Sequence, residues 1–200
     1  YEGDLLQPRY EDPHGHDAGK PAPGGVVLRT DIEGKTVQLV AGGVRNPRDL
    51  AFSRDGELFV HDSDTQADVG TTWHRPTRLL LVAAGAEFGW RSGWAKWPEH
   101  FVDCLPGMLD TGPASPTGAV FYNHFAFPTR FHNALFLADW AHGRISVVHL
   151  EEKGSGYAAK QEVFLEGPAL NVMDLEVGPD GALYFVTGGG GAEGGIYRVS

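Results

Sequence analysis

Residues 42–64 read GGVRNPRDLAFSRDGELFVHDSD. A polar turn, Arg45-Asn46-Pro47, leads into the short apolar run Leu50-Ala51-Phe52. Arg54-Asp55-Gly56 then reverses the chain, and Leu58-Phe59-Val60 carries it back to a pair of acids, Asp62 and Asp64. Asp-Gly between two apolar runs is a strong local hairpin signal, because glycine supplies the left-handed backbone that a tight turn demands. The phrase returns as DLEVGPDGALYFVT over residues 174–187, with Asp180-Gly181 at the turn, and more loosely over 117–139. One hairpin repeated at wide intervals in a glycine-rich chain predicts a β-propeller.

Composition bounds the rest. The 200 residues are 42% hydrophobic, enough to build a folded core. The 28 glycines and 13 prolines suit many short turns. A net charge of −10, with 16 Lys and Arg scattered singly, excludes a phosphate-backbone partner, so no nucleic acid is expected. No run is long enough to cross a bilayer as a helix. The single Cys104 excludes an internal disulfide framework, a Cys-rich zinc site and a Cys-x-x-Cys-His haem attachment within these residues. Because the first residue is Tyr1, the chain reads as a piece of something longer.

Residues 1–25 are Pro- and Gly-rich and read as a loop from a preceding blade. From residue 26 to 200, strands are expected at 26–30, 37–41, 78–83, 88–90, 120–122, 134–138, 145–150, 159–165, 173–177, 183–187 and 195–199, besides the opening hairpin. Residues 91–116 keep no period and read as an irregular insertion. No segment sustains a helical period. The expectation is all-β, three to four blades. A hairpin returns the chain to the end opposite its turn, so Arg45 and Asn46 should share a rim with Asp62 and Asp64. By the same logic Ser115, Thr117, Asp139 and Trp140 belong together, as do Asn171, Thr187 and Gly188–Gly191. Blades stack with one orientation, so the three groups should share one face of the central channel.

Several stretches carry a resemblance. Gly43-Val44-Arg45-Asn46-Pro47 with Leu50-Ala51-Phe52, Glu87-Phe88-Gly89-Trp90, and residues 115–122 (SPTGAVFY) with Phe127-Pro128 resemble the glucose/sorbosone dehydrogenase family. So do residues 134–139 (ALFLAD) and 179–184 (PDGALY). The family's members are six-bladed propellers that oxidise sugars or alcohols with pyrroloquinoline quinone (PQQ), usually with calcium. The resemblance therefore implies a fragment of a six-bladed β-propeller. Residues 1–10 (YEGDLLQPRY) and 73–78 (WHRPTR) resemble, more narrowly, large planctomycete-type proteins called membrane-bound dehydrogenases. That likeness implies an extracytoplasmic location and a cytochrome-like domain elsewhere in the protein. Two features depart from the pattern. No segment matches the one that supplies the family's general base, a His from an early blade, so the base is expected upstream of Tyr1. Asp139-Trp140-Ala141-His142-Gly143-Arg144 stands where a Lys is expected.

The candidate site residues follow. In the resembled enzymes an Arg-Asn pair matching Arg45-Asn46 contacts the quinone, and arginine's planar fork suits carboxylates and a developing oxyanion. The competing reading is a turn, with Asn before Pro and Arg45 paired to a rim acid. Arg75 and Arg78 are candidates for ligand carboxylates, with an interblade salt bridge favoured for one of them. Trp90, with Trp94 and Trp97, suits an aromatic wall or a small satellite core. Asp139 and Trp140 join the cofactor-binding set on the rim. Asp62, Asp64 and Asp68 supply oxygens for calcium, against the alternative that they terminate turns. His74 is a candidate acid or base; His14-Gly15-His16-Asp17 reads as solvated, and Gly188–Gly191 as a rim turn. The reading is a dehydrogenase propeller that moves hydride from a sugar or alcohol to PQQ. Its rivals are a non-catalytic propeller binding protein or glycan and a calcium-dependent lactonase.

Overall fold

The computed structural model describes residues 25–63, 76–90, 100–168, 170–191 and 193–200. Fourteen strands form four sheets, and no α-helix occurs among the described residues. The first sheet holds β1 (Gly25–Thr30), β2 (Val37–Val44) and β6 (Ala86–Glu87). The second is β3 (Leu50–Phe52), β4 (Leu58–Asp62), β5 (Thr77–Val82) and β7 (Leu109–Gly112). The third runs β8 (Pro116–Phe121), β9 (Leu135–Asp139), β10 (Arg144–Lys153) and β11 (Gly156–Glu166), and the fourth β12 (Val172–Val177), β13 (Leu183–Thr187) and β14 (Gly195–Val199). The second, third and fourth are consecutive antiparallel meanders, the unit of a propeller blade. The all-β expectation and the partial propeller hold.

The repeated phrase folds the same way at both ends. Gly56 donates its N–H to the Ser53 carbonyl at 3.0 Å while Ser53 donates to the Glu57 carbonyl at 2.9 Å. Gly181 to Gly178 and Gly178 to Ala182 repeat this pair, both at 2.9 Å. Gly56 and Gly181 sit at φ of 87° and 77°, the left-handed position that closes a three-residue hairpin loop. In the looser middle copy Asn133, at φ 60°, takes that position after a longer loop holding a 3-10 turn at Thr129–Phe131.

Between consecutive sheets lies a core. Alternate residues of one strand serve different cores: Leu135 and Leu137 of β9 pack toward Phe59 and Leu79 of the second sheet, whereas Phe136 and Ala138 pack toward Leu175, Leu183 and Phe185 of the fourth. The period-2 geometry of a strand makes this possible, and a strand covered on both faces is apolar throughout. Leu80 and Val60 face instead toward Ala41, Val44 and Phe88, sealing the first sheet to the second. Cys104 is buried, in keeping with a small apolar role.

Two expectations need correction. Within the expected irregular insertion, Leu109–Gly112 is β7, paired antiparallel to β5 as the outer strand of the second sheet. Residues 88–90 are not a strand; Ala86–Glu87 pairs parallel to β2 instead, and the Phe88 and Trp90 N–H groups donate to the Gly42 and Gly43 carbonyls.

Candidate functional site

The hairpins bring three loops together at one end of the blades. Between them lies a cavity of about 330 Å³ lined by Arg45, Asn46, Arg48 and Ser63 of the second blade, residues 114–117 and Trp140 of the third, and Met173, Gly189 and Gly190 of the fourth. Members of all three expected rim groups thus meet at one place. The chain's net charge is −10, yet the described lining holds two arginines and no carboxylate.

A buried carboxylate at the end of the second strand fixes each of the first two loops. Asp62, fully buried, accepts the backbone N–H groups of Arg45 at 3.0 Å and Asn46 at 2.9 Å through Oδ1. Its Oδ2 accepts Arg78 Nη2 at 3.0 Å, and Arg78 Nη1 donates to the Phe88 carbonyl at 2.9 Å. Asp139 repeats the arrangement in the third blade. It accepts the Ser115 N–H at 2.8 Å through Oδ1 and His142 Nδ1 at 2.8 Å through Oδ2, with Arg144 Nε 3.0 Å away. In the fourth blade Thr187 stands in this place, and the Gly188 N–H donates to the Asn171 carbonyl.

Trp140 is held by the third and fourth blades jointly. Trp140 donates its indole N–H to the Gly188 carbonyl at 2.7 Å, and its own carbonyl accepts the Asn171 side-chain amide at 2.9 Å. Gly188–Gly191 all have positive φ, and at Gly190 a side chain would begin 2.7 Å from Trp140 Cζ2. The glycine run is therefore a rim turn, as expected, and its bareness lets it lie against the indole.

Four site expectations are corrected by burial. Asp62 directs its carboxylate at backbone amides and a guanidinium, so it clamps the Arg45 turn where a calcium ligand was expected. Arg78 is its ion-pair partner, 3% exposed; the pair joins neighbouring strands β4 and β5 of one sheet, so it is a bridge within a blade and not the interblade bridge expected for one of the two arginines. Trp90 is also 3% exposed and belongs to the interior, and Asp139 points away from the cavity into its own hydrogen bonds. Arg45 keeps its rim position and donates Nη1 to Ser63 Oγ at 3.0 Å; Asn46 is exposed beside it. Asp64, Asp68, His74, Arg75, Trp94, Trp97 and residues 14–17 lie outside the described residues. No group of three or more His, Cys, Asp or Glu able to hold a metal occurs among the described residues. Arg48, three residues beyond Arg45, was not singled out from sequence. It lines the cavity, is exposed and makes no side-chain hydrogen bond or ion pair among the described residues. Its signal was its place one residue before Asp49 and β3, where the turn re-enters the rim.

No protein-family model matches the chain, and no curated protein matches it. Solved structures do. The PQQ-bound aldose sugar dehydrogenase of Streptomyces coelicolor superposes with a TM-score of 0.63 at 21% identity, over 88% of this chain and 51% of that one. The chain shares the fold of part of that β-propeller. The soluble aldose sugar dehydrogenase of Escherichia coli, in its apo form, gives 0.60 at 20% identity over 90% and 51%, and a glucose dehydrogenase 0.64 at 21% over 84% and 47%. The chain spans about half the length of these propellers. No helix among the described residues is long and apolar enough to cross a membrane.

Proposed function

We propose that this chain is part of a quinone-dependent dehydrogenase that oxidises a sugar or alcohol, with PQQ held at the rim cavity. The carrying observation is a cavity bounded by two arginines, an exposed carboxamide and an indole, without a carboxylate among the described lining residues, in a strongly acidic chain. Those groups suit a flat ligand bearing several carboxylates: guanidinium forks take carboxylate oxygens, and an indole face takes a ring. The residues present fit such a cofactor. When bound, it supplies the two-electron acceptor for the substrate's carbinol hydride.

The chain's own residues bind and orient. Asp62 holds the Arg45 and Asn46 amides, which fixes the direction in which both side chains leave the turn. Arg45 is placed to stabilise negative charge developing on a bound ligand oxygen, the more effectively where protein has replaced water. Trp140 is held at both its indole N–H and its carbonyl, so the wall it presents is preorganised. The base that accepts the substrate's hydroxyl proton belongs to a part of the protein outside these blades. An extracytoplasmic location and electron transfer to a cytochrome-like domain complete the reading.

A lactonase requires rim carboxylates to hold a metal, and the described lining has none. A purely binding propeller needs no positioned guanidinium. The deciding assay mixes the intact protein with PQQ, an artificial electron-accepting dye and a panel of aldoses and alcohols. Quinone-dependent dye reduction is expected, and Arg45→Lys, which keeps the charge but loses the fork, is expected to lower it about tenfold or more. Lactone opening without dye reduction would replace this reading with the hydrolase.

A further inference from the structure

We propose, on the quinone reading above, that Asn171 is a positioning residue: it lies behind the cavity lining, sets the seat of Trp140, and through it the cavity's grip on a flat ligand.

Strand register aligns the blades. Leu50 pairs with Val60, Ala119 with Leu137 and Leu175 with Phe185. Counted from these pairs, Asn46, Ser115 and Asn171 hold one place in the turn before the inner strand. Asp62, Asp139 and Thr187 likewise hold one place at the end of the second strand. In the second blade the acid accepts the Asn46 N–H, and in the third it accepts the Ser115 N–H. Thr187 brings no carboxylate to the fourth blade, and its hydroxyl donates to the Glu193 carbonyl at 3.4 Å. The turn holding Asn171 is tied in another way.

Its tie runs back to the preceding blade. Asn171 Nδ2 donates to the Trp140 carbonyl at 2.9 Å, and the Trp140 indole N–H donates to the Gly188 carbonyl at 2.7 Å. The Gly188 N–H returns to the Asn171 carbonyl at 3.0 Å. These bonds close a ring across the joint of the third and fourth blades, each residue giving one donor and one acceptor. Bonds closed in this way reinforce one another, so removing one loosens the others. Gly189 and Gly190 follow Gly188 into the cavity lining, and a side chain at Gly190 would begin 2.7 Å from Trp140 Cζ2. The indole and the glycine turn therefore shift together. The joint has a second fastening outside the ring, the Thr117 hydroxyl to the Val172 carbonyl at 2.7 Å. Loss of the Asn171 carboxamide thus frees the wall without parting the blades. Aspartate has the same shape but no donor, and sets a carboxylate against the Trp140 carbonyl.

The test uses the intact protein and begins without ligand. Acrylamide quenching assigned to Trp140, taken as the difference between each protein and its Trp140→Phe counterpart, is compared for wild type, Asn171→Ala and Asn171→Asp. Both substitutions are expected to raise it while the melting temperature changes little. A fluorescence titration with PQQ then reads affinity, with a loss of about threefold to tenfold expected for each. In a Trp140→Ala background, Asn171→Ala should bring no further loss, because its effect passes through the indole. Unchanged Trp140 quenching in both variants would overturn the proposal, and so would a full further loss of affinity in the Trp140→Ala background. Failure of the wild type to bind PQQ would overturn the quinone reading instead, and the ligand-free quenching would still decide whether Asn171 seats Trp140.

Discussion

The Asp62 carboxylate closes the open end of its own hairpin by accepting the Arg45 backbone N–H at 3.0 and 3.1 Å, so the residue proposed to meet the ligand is held by one that never touches it. Asp62 is also paired to the buried Arg78. Asp62→Ala leaves that guanidinium buried without its partner, and a loss of about 3–5 kcal/mol is expected. Asp62→Asn keeps one acceptor oxygen and should lose less. Urea unfolding of the three proteins measures both; an unchanged Asp62→Ala midpoint would show that the clamp carries little of the fold.

Gly190 and Gly191 separate two causes of the same loss. Both have positive φ, 59° and 86°, but only at Gly190 would a side chain meet the indole, at 2.7 Å from Trp140 Cζ2. Gly191→Ala is expected to cost about 1–2 kcal/mol from left-handed backbone alone. Gly190→Ala should cost more and should also weaken PQQ binding, because the wall moves. Equal effects of the two on binding would detach Trp140 from the site.

His61 links stability to pH. It is buried in β4, its Nε2 3.0 Å from the Thr111 hydroxyl, and burial pushes its pKa down from 6.5 to about 4. Asp139 pulls the value back up and Arg144 pushes it lower, both as smaller effects. The folded protein therefore holds His61 neutral where the unfolded chain would protonate it. The stability this represents is present in full above pH 6.5 and is lost as pH falls toward 4, by up to about 3 kcal/mol. His61→Gln, which keeps a donor for Thr111, should flatten the pH dependence of the melting temperature across that window. A dependence as steep as wild type would place its origin in other groups.

Large apolar side chains are exposed on several sheets: Leu28, Val37 and Leu39 on the first, Leu50 and Phe52 on β3 of the second, and Ile196 and Tyr197 on the last. Faces of this kind and unpaired edge strands invite association. These 200 residues expressed alone are expected to self-associate, as light scattering after gel filtration would reveal. A monodisperse monomer with a cooperative melt would show the blades to be self-sufficient.

The sequence disclosed what rests on local chemistry. The Asp-Gly turns at residues 55–56 and 180–181 mark their hairpins because glycine must adopt left-handed φ there, and β13 and β14 fall on their expected bounds. The shared rim followed from hairpin geometry alone. β7 was hidden because Leu-Asp-Thr-Gly alternates weakly and is made a strand only by its long-range partner β5. The fates of Asp62 and Arg78 were hidden for a related reason. An acid at a strand end looks the same in sequence whether it faces solvent, a metal or the amides of a turn 16 residues earlier. Arg48 went unread because a lone arginine beside a proline turn is ordinary surface chemistry until the neighbouring blades close a cavity around it.

The central claim, that the rim cavity holds an anionic quinone, is tested most directly by a crystal structure of the intact protein soaked with PQQ. The expected result is the quinone in the cavity, its carboxylates within hydrogen-bond distance of Arg45 and Arg48 and its ring system against Trp140. Quinone bound elsewhere on the propeller, or a cavity that stays free of it at saturating concentration, would contradict the claim.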